Sequence, residues 1–508
     1  MANILFDAVL GEGRHAAAAI YAPGRTYRYA DVDLETARMA AALVSLGVAP
    51  GDRVAVQVGK SAANLVLYLA TIRAGAVFLP LNPAYTIAEL AYFLGDAEPS
   101  LVVCDPASRN AMAQIAGAAC LTTLDGEGEG ELAFAARSQP GGFQTAMRVE
   151  DDLAAICYTS GTTGRSKGAM LTHRALASNA ATLREIWRFT PRDVLIHALP
   201  LYHVHGLFVA TNVALMAGAS IILQPKFDPD AILAAMPWAT CLMGVPTFYT
   251  RLLANPGVNG ESTASMRLFV SGSAPLLPQT HADWKVRTGH TILERYGMTE
   301  TGMNTSNPYA GDRVAGSVGL PLPGVALRLV DEASGSIVAQ GAIGTIEVSG
   351  PNVCAGYWRN PEKTAEAFRD DGWFITGDLG VVDSRGYVSI VGRGKDLIIT
   401  GGLNVYPKEV EEAIDALPGV LESAVVGLPH PDLGEAVTAV VATVQGAELS
   451  EAGVLAALRA RLARFKQPRR VLFVSDLPRN AMGKVQKASL REIHDRLYVE
   501  SGADRSAS

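Results

Sequence analysis

A segment rich in glycine and hydroxyl side chains, YTSGTTGRSKG, lies between Tyr158 and Gly168. Glycines let backbone N–H groups turn toward an anion, hydroxyls add donors, and Arg165 and Lys167 supply positive charge. An apolar stretch, LAAICY, precedes the segment, and a helix-compatible stretch, THRALASNAATLREIW, follows it. The order differs from the Walker loop because Ser166 precedes the lysine and a glycine follows it. The segment predicts a phosphate-binding loop, with a flexible surface loop as the alternative.

Other charged residues occur in short motifs along the chain. Alone, each has a plain interpretation: Asp378 would be a turn residue, and MGKVQK would be an exposed basic face. The motifs are ERYGMTET (Glu294 to Thr301), TGDLG (Thr376 to Gly380), GRGKDLI (Gly392 to Ile398) and PRNAMGKVQK (Pro478 to Lys487). It is their joint occurrence that favours one active site.

Short apolar runs separated by helical stretches would position these motifs. DRVAVQVG, a helical stretch and AVFLPL give the first βαβ unit, and DVLIHALP, SIILQP, ATCLMGV, MRLFVSGS and TILERYG continue the pattern. Runs of four to eight apolar residues are typical of buried parallel strands covered by helices. The N-terminal region is therefore predicted to be layered α/β. The uncharged run from Gly206 to Pro225 contains Asn212 and is interrupted by Gly218, so it predicts a buried helix followed by a strand rather than a membrane span.

The pattern changes after about Val325, where short alternating strands and the turn DSRG predict a β-rich subdomain. After GRGKDLI comes a compact αβ pattern. We predict an N-terminal domain at residues 1–392, with its β-rich part at about 325–392, a hinge at 393–396 and a C-terminal domain at 397–508.

Composition limits the class of protein. The 508 residues are 49% hydrophobic and 18% charged, and the net charge is -7, as in soluble α/β enzymes and unlike nucleic-acid-coating or disordered chains. Five scattered cysteines without a C-x-x-C pair argue against a disulfide framework or a zinc site. The N-terminus has no apolar signal core, so we expect a cytoplasmic protein without nucleic-acid or membrane partners.

The motifs, in this order and spacing, resemble those of the adenylate-forming superfamily of acyl-CoA synthetases, peptide-synthetase adenylation domains and luciferases, over about residues 25 to 495. The resemblance implies a large N-terminal α/β domain with a β-rich subdomain and a small mobile α+β C-terminal domain. It also implies the chemistry: a carboxylate attacks ATP, giving an acyl-adenylate and pyrophosphate, and the acyl group passes to the thiol of coenzyme A. Cations and oriented donors must then stabilise the growing negative charge.

The resemblance assigns most site residues to the nucleotide and CoA. Thr159 and Glu300 would lie near Mg²⁺, Tyr296 would stack on adenine, and Asp378 would accept from the ribose hydroxyls with help from Arg393. The full set that the resemblance assigns to ATP or CoA binding is Thr159, Ser160, Gly161, Thr162, Thr163, Gly164, Lys167, Ser273, Ala274, Pro275, Glu294, Arg295, Tyr296, Gly297, Met298, Thr299, Asp378, Arg393, Gly401 and Gly402.

Two lysines receive catalytic roles from the resemblance. Lys484 would bridge the carboxylate and the α-phosphate during adenylation, and Lys395 would be the hinge residue. Gly401 and Gly402 would let the pantetheine arm of CoA pass close to the backbone. Acetylation of Lys484 would remove its charge, so a lysine acetyltransferase is a further expected partner.

The segments LPLYHVHGL, GVPTFYTRLL and VSGSAPL closely resemble those of malonyl-CoA and methylmalonyl-CoA synthetases. The resemblance implies that Arg251 and Ser273 hold the distal carboxylate of a dicarboxylate, with Val204 and Met303 lining the α-carbon side. His205 is favoured over His203 as the histidine of the acyl channel, and a packed core histidine is the alternative.

Several rival functions share the motifs. A medium-chain or aryl acid CoA ligase is the main alternative. A peptide-synthetase adenylation domain would usually stand beside a carrier module, and a luciferase-type monooxygenase would need an oxidisable heterocycle rather than a diacid. A non-enzymatic binding module is disfavoured because Lys484, Glu300 and Asp378 are all present.

Overall fold

The computed structural model describes residues 3–11, 16–159, 166–444, 446–459, 461–480 and 483–498. The chain divides into two compact units. The first contains Met1–Leu327 and Val348–Phe374, and the second contains Arg328–Glu347 and Ile375–Ser508. The domain limits predicted from the sequence, with a hinge at residues 393–396, stay predictions.

The first unit is built from helices and two large sheets. Its helices are α1 Ile4–Leu10, α2 Tyr29–Ser45, α3 Ala62–Arg73, α4 Ile87–Ala97, α5 Arg109–Ala113, α6 Glu131–Arg137, α7 His173–Ile186, α8 Asn212–Ala217, α9 Pro229–Ala235, α10 Pro246–Leu253, α11 Pro278–Thr288 and α12 Pro361–Ala367. Its strands are β1 Ala18–Ala22, β2 Arg25–Arg28, β3 Arg53–Gln57, β4 Val77–Pro80, β5 Leu101–Cys104, β6 Cys120–Thr123, β7 Leu153–Thr159, β8 Lys167–Thr172, β9 Val194–His197, β10 Ser220–Leu223, β11 Cys241–Gly244, β12 Leu268–Ser271, β13 Leu293–Met298, β14 Gly302–Ser306 and β15 Leu320–Pro321.

The two sheets are mostly parallel, as the apolar runs predict. The nine-stranded sheet has the order β15-β14-β13-β12-β11-β9-β10-β1-β2, and the six-stranded sheet has the order β6-β5-β3-β4-β7-β8. Strands β5, β11 and β12 are buried along their whole length, which explains their uninterrupted apolar sequences. The α/β fold class is confirmed.

The surroundings of the phosphate segment differ from the expectation. The sequence predicts a strand followed by a helix, but β8 intervenes and pairs antiparallel with β7 before α7 begins. The run KGAMLT pairs with the apolar strand β7, and most of its residues are buried, which gives it a place in the sheet. The predicted helix therefore lies where α7 is found, and the element that the sequence did not predict is β8.

The uncharged run after Gly206 is buried helix and strand, as predicted. A π-helical turn, His205–Thr211, leads into α8, which ends where Gly218 adopts a left-handed φ of 72°, and β10 follows. Among the described residues, no helix combines the length and the apolar character needed to cross a bilayer.

The second unit holds the C-terminal elements and most of a four-stranded sheet ordered β16-β17-β18-β19; a further sheet has the order β21-β20-β23-β22, with β24 beside β23. The elements are β16 Ala326–Val330, β17 Gly344–Ser349, β18 Phe374–Val382, β19 Val388–Arg393, β20 Ile398–Thr400, β21 Leu403–Val405, α13 Pro407–Asp415, β22 Val420–His430, β23 Gly434–Thr443, α14 Glu451–Leu458, β24 Arg470–Val474 and α15 Lys487–His494. The hairpin predicted at DSRG joins β18 and β19.

Alternation along β22 and β23 gives the second unit a core on each face of its sheet. Val425 and Val437 belong to the cluster that contains Val410 of α13 and Leu458 of α14. Their neighbours, including Val426, belong to the opposite cluster, which contains Leu490 of α15. Because successive side chains of a strand point to opposite faces, two covered faces require the continuous apolar runs SAVVGL and AVTAVVATV.

A buried acidic group in this unit makes stability depend on pH. Asp415 at the end of α13 accepts from Ser423 Oγ at 2.7 Å, and burial, followed by the nearby carboxylates of Glu411 and Glu422, raises its pKa to about 7. Glu411 is itself paired with Lys487 and Glu422 with Arg479, so neither cation neutralises Asp415 directly. The folded state therefore resists ionisation of Asp415.

We expect Asp415→Asn to stabilise the protein at pH 8 by about 1 to 2 kcal/mol and to have less effect at pH 5. The pKa of Asp415 is higher in the folded than in the unfolded protein. The contribution of Asp415 to the free energy of unfolding is therefore highest at low pH, where Asp415 is protonated in both states, and it falls as the pH rises toward 7. The amide removes this loss while its oxygen can still accept from Ser423. Urea unfolding at both pH values measures the difference, and an equal effect at pH 5 and 8 would contradict the assignment.

Candidate active site

The acid-binding candidates lie where parallel strands of the nine-stranded sheet end. His203 and His205 follow β9, Arg251 lies on the helix after β11, and Ser273 follows β12. The carboxyl ends of neighbouring parallel strands form the usual binding edge of an open α/β sheet. The connections that follow these strands can therefore contribute to a common site.

His205 and Ser273 are in contact. Ser273 Oγ lies 3.2 Å from His205 Nδ1, and Ser273 has a left-handed φ of 72°, which turns the chain sharply after β12. Burial, followed by repulsion from Arg295, holds the pKa of His205 well below its usual value. Burial also lowers the pKa of His203, to about 4. The contact supports His205 over His203 for the channel; the role itself stays a prediction.

Arg295 on β13 carries a buried positive charge close to His205. Its side chain is only 3% exposed, and none of its guanidinium nitrogens donates to a described protein group. A Cβ on Gly272 would lie 2.4 Å from the Arg295 Cζ, so only glycine permits this approach of backbone and guanidinium. Burial lowers its pKa to about 9, which leaves it protonated at neutral pH.

The sequence did not predict that Arg295 is buried beside the residues proposed to bind the acid. The motif ERYGMTET assigned the residue to nucleotide binding, and that assignment stays a prediction, but its neighbours Gly272 and His205 belong to the acid side. No local signal marks an arginine as buried. The one indication of burial in the sequence is the apolar run TILERYG, in which Ile292 and Leu293 stand shortly before Arg295.

Arg251, the arginine predicted to hold the distal carboxylate, is exposed on α10. Its guanidinium carbon lies 5.9 Å from the centroid of the Phe227 ring, which stacks on Phe248. Within the described ranges it has no ion pair, and no hydrogen bond joins it to Ser273 or His205. Arg251 is therefore a second cation without a protein counter-charge.

The predicted α-carbon residues are both buried. Val204 lines a small cavity together with Phe208 and Gly302. Met303, the neighbour of Gly302, is held by Asn179, whose side chain accepts from the Met303 amide at 3.1 Å and donates to its carbonyl at 2.9 Å. The paired bonds fix the backbone on which Met303 is carried.

The four residues that follow Arg295 in the motif ERYGMTET are half-buried. Residues Tyr296, Gly297 and Met298 complete β13, and Thr299 follows. A Cβ on Gly297 would lie 2.0 Å from the carbonyl oxygen of Gly302, so the glycine is required by the close pairing with β14. Glu294 is buried and its carboxylate accepts from the Gly316 amide. The remaining predicted residues, Ala274 and Pro275, follow Ser273 in partly exposed chain.

Glu300, the predicted magnesium ligand, is buried and linked to the phosphate segment. Its Oε1 accepts from the Tyr357 hydroxyl at 3.1 Å, and Lys167 Nζ lies 4.9 Å from the centroid of the Tyr357 ring. Thr159 ends β7 opposite Lys167. Ser160, Gly161, Thr162, Thr163 and Gly164 were also assigned to this loop, and they lie outside the described residues.

The donors suit Mg²⁺ that arrives with a nucleotide. Thr159 and Glu300 offer oxygen atoms, which Mg²⁺ prefers, and this ion is commonly held by one or two carboxylates plus substrate phosphates. In the described part of the chain no group of three or more His, Cys, Asp or Glu could hold a metal without such help. When bound, the ion would neutralise phosphate charge.

Two thiols lie close to Glu300. Cys157 on β7 and Cys354 are buried, and burial, with a smaller contribution from the Glu300 carboxylate, raises the pKa of each to about 12. Burial likewise raises the pKa of Cys104 to about 11 and of Cys241 to about 12. All five cysteines are unpaired with one another.

The second unit brings four predicted residues together. Asp378 and Arg393 face each other across β18 and β19 and form an ion pair at 2.9 Å. Lys395 follows in the turn after β19, and partial desolvation and then the charge of Arg393 lower its pKa to about 8. Desolvation and Arg393 also lower the pKa of Lys484. The predicted ribose pair and both predicted catalytic lysines thus share one electrostatic environment.

Gly401 and Gly402 form the turn between β20 and β21. Both have left-handed φ angles, 57° and 79°, and the turn is exposed. A Cβ on Gly402 would meet no atom within 4 Å. An open glycine turn fits the predicted passage of a pantetheine arm, which stays a prediction.

Comparison with known proteins gives the family. The chain matches AMP-binding enzymes over residues 6–358 and the AMP-binding enzyme C-terminal domain over residues 409–484. It is 37% identical over 480 residues to a feruloyl-CoA synthase of Amycolatopsis sp (94% of this chain, 95% of the relative) and 37% identical over 485 residues to a mitochondrial malonate–CoA ligase of Mus musculus (86% and 81%).

A solved structure is closer still. The ATP-bound MatB from Rhodopseudomonas palustris is 59% identical, covers 98% of this chain and 100% of its own, and superimposes with a TM-score of 0.97. Large N-terminal and small C-terminal regions occur in the family order. The chain therefore belongs to the AMP-binding enzymes of the adenylate-forming superfamily and is an AMP-forming acyl-CoA synthetase that uses ATP, with Mg²⁺, and coenzyme A.

Proposed function

We propose that this enzyme ligates malonate to coenzyme A, with methylmalonate as a second diacid, and that it releases AMP and pyrophosphate after forming an acyl-adenylate. The observation that carries the proposal is Arg295, a buried guanidinium without a protein partner beside Gly272 and near His205. A substrate with one carboxylate to activate and another to bind would supply the missing charge.

The energetics of a buried arginine support a diacid. A buried ion without a partner is unfavourable by several kcal/mol, whereas a carboxylate can engage a guanidinium through two parallel hydrogen bonds. The Ser273 hydroxyl, next to Gly272, is placed to add a further donor. The arginine would thus be stabilised most when the second carboxylate is bound.

The same charge would select against simple fatty acids. Each buried methylene gains only about 0.8 kcal/mol, which is too little to offset a guanidinium covered by an alkyl chain. Val204 and Met303 are proposed to limit the space at the α-carbon, where a methyl group would distinguish methylmalonate from malonate. Both are buried, and Val204 lines the small cavity beside Phe208 and Gly302.

Arg251 remains the other candidate for the distal carboxylate. It is exposed and unpaired within the described residues, so binding there would need less desolvation but would be weaker in water. The relatives do not decide the acid, since the feruloyl and malonate relatives are equally similar at 37% identity. An aryl or medium-chain acid is accordingly the second candidate function.

An acid panel tests the proposal. We expect CoA-dependent AMP formation to have a kcat/KM for malonate or methylmalonate at least about 10-fold above that for butyrate, benzoate and ferulate, because a lost charge pair is worth more than about 1.4 kcal/mol. Succinate keeps the second carboxylate and tests how strictly the site selects the length of the diacid. Omission of CoA is the control for simple ATP hydrolysis. Preference for butyrate, benzoate or ferulate would overturn the diacid and support the second candidate.

A further inference from the structure

Lys60 lies at the start of a hydrogen-bonded chain outside the predicted site. It follows β3 and precedes Ser61, the N-cap of α3. Its Nζ lies 2.7 Å from the carbonyl oxygen of His197 and 3.0 Å from His197 Nδ1. His197 is the last residue of β9 and is buried. None of the motifs that identified the family contains either residue.

The partners fix the protons on His197. Its Nε2 lies 2.9 Å from the carbonyl oxygen of Gly206, and because a carbonyl only accepts, Nε2 must carry the hydrogen. A neutral His197 then has a bare Nδ1, which accepts from Lys60 Nζ. Burial and the Lys60 charge both lower the pKa of His197, so the ring stays neutral. The Lys60 contact therefore favours the tautomer that donates to Gly206.

Gly206 belongs to the π-helical turn His205–Thr211. Its carbonyl accepts from Thr211 Oγ1 at 3.0 Å as well as from His197, so two side chains hold this wide turn from the side. A Cβ on Gly206 would lie 2.0 Å from the carbonyl oxygen of Pro200, which shows how closely the turn packs. π-helical turns are rare and are frequently found at functional sites.

The first residue of the turn is His205, whose Nδ1 meets Ser273. A relaxation of the turn toward α-helical spacing would rotate His205 relative to the rest of the helix. We propose that Lys60 is a positioning residue for His205: through His197 it holds the Gly206 carbonyl, and so keeps the π turn that presents His205 to Ser273. The inference rests on the proposed role of this region in acid binding, although not on which acid is bound.

A double-mutant cycle tests whether Lys60 acts through His205. We expect Lys60→Met to lower kcat/KM for the best acid of the panel about 10-fold or more, with KM for ATP changed less than about twofold, since small misplacements lower rates steeply. In the His205→Ala background the same change should have almost no further effect. An equal loss in both backgrounds, or no loss in the first, would overturn the proposal.

Isosteric replacements of His197 separate positioning from packing. The amide nitrogen of glutamine can replace Nε2 and donate to Gly206, whereas that of asparagine lies near Nδ1. His197→Gln is expected to retain acid kcat/KM within about threefold, and His197→Asn to lose it as Lys60→Met does. Equal losses in both would indicate packing alone and contradict the proposal.

Two controls keep the result interpretable. Lys285→Met, on the exposed face of α11, should leave all kinetic constants unchanged. Urea unfolding should show Lys60→Met to be as stable as the parent or more so, because desolvation lowers the pKa of Lys60 well below its usual value and an apolar side chain has no charge to desolvate. The cycle uses whichever acid the panel favours, so failure of the malonate proposal leaves this test intact. If acid and ATP constants fell together, the positioning role would be wrong.

Discussion

Lys484→Ala is expected to lower acyl-adenylate formation by at least about 100-fold while leaving thioester formation from supplied acyl-adenylate largely intact. The proposed role of Lys484 is a point cation between the attacking carboxylate and the α-phosphate, where negative charge grows in the transition state. Thioester formation has no such phosphate to stabilise. ATP–pyrophosphate exchange measures the first step, and CoA consumption with presented acyl-adenylate measures the second.

Lys487→Ala is the matched control. Lys487 lies three residues further along and is paired with Glu411 at 2.6 Å, so it has a structural partner of its own. We expect this variant to keep at least about half of both activities, because Lys487 has no assigned role at the α-phosphate and its charge is already paired within its own unit. If Lys484→Ala lost both half-reactions equally, the cation would be needed for the fold or for thioester formation, and the adenylation role would be wrong.

Removal of the positive charge at the proposed acid site is expected to cause a large loss of activity with malonate. Arg295→Met should lower kcat/KM for malonate by about 100-fold or more, and the loss for butyrate should be far smaller, because only the diacid leaves a carboxylate stranded. Arg251→Leu should do the same if the distal carboxylate lies at that residue. Steady-state kinetics with both acids, at saturating ATP and CoA, give the two ratios for each variant.

Arg287→Leu controls for loss of charge at a helix end, since Arg287 lies in the last turn of α11 as Arg251 does in that of α10. It should change neither ratio. Arg295→Lys adds a test of geometry: it keeps the charge but loses the forked donors, so it should recover only part of the malonate activity. Malonate turnover that survives in both arginine variants would exclude each as the diacid anchor.

The sequence predicted strands β9 to β13 of the nine-stranded sheet because buried parallel strands are short, apolar and bounded by polar residues, as in β11 and β12. It also predicted the helix end at Gly218, whose left-handed φ requires glycine. The π turn before it could not be predicted, since the Gly206 carbonyl is contacted by His197 on the preceding strand, and His197 in turn contacts Lys60, which is distant in sequence. The same applies to Arg295, which is buried against Gly272, the residue that follows β12.

Some predictions rest on the motifs alone. The hinge at residues 393–396, the contacts with ATP and the acetylation of Lys484 have no direct test in the fold. The cytoplasmic location also stays a prediction, and one malonate–CoA ligase relative is mitochondrial. Within the site, the sequence identified which residues are involved more readily than what each one does. A motif names a side chain, whereas its role depends on neighbours that come from other parts of the chain.

The thiols near Glu300 have a consequence for an enzyme whose co-substrate is itself a thiol. Nucleophilic attack on sulfur requires thiolate, and Cys157 and Cys354 stay protonated because their pKa values are about 12. Oxidised coenzyme A therefore finds no ready exchange partner at these positions, and mixed disulfides should not form there. The enzyme should therefore tolerate a mixture of reduced and oxidised coenzyme A without inactivation through Cys157 or Cys354.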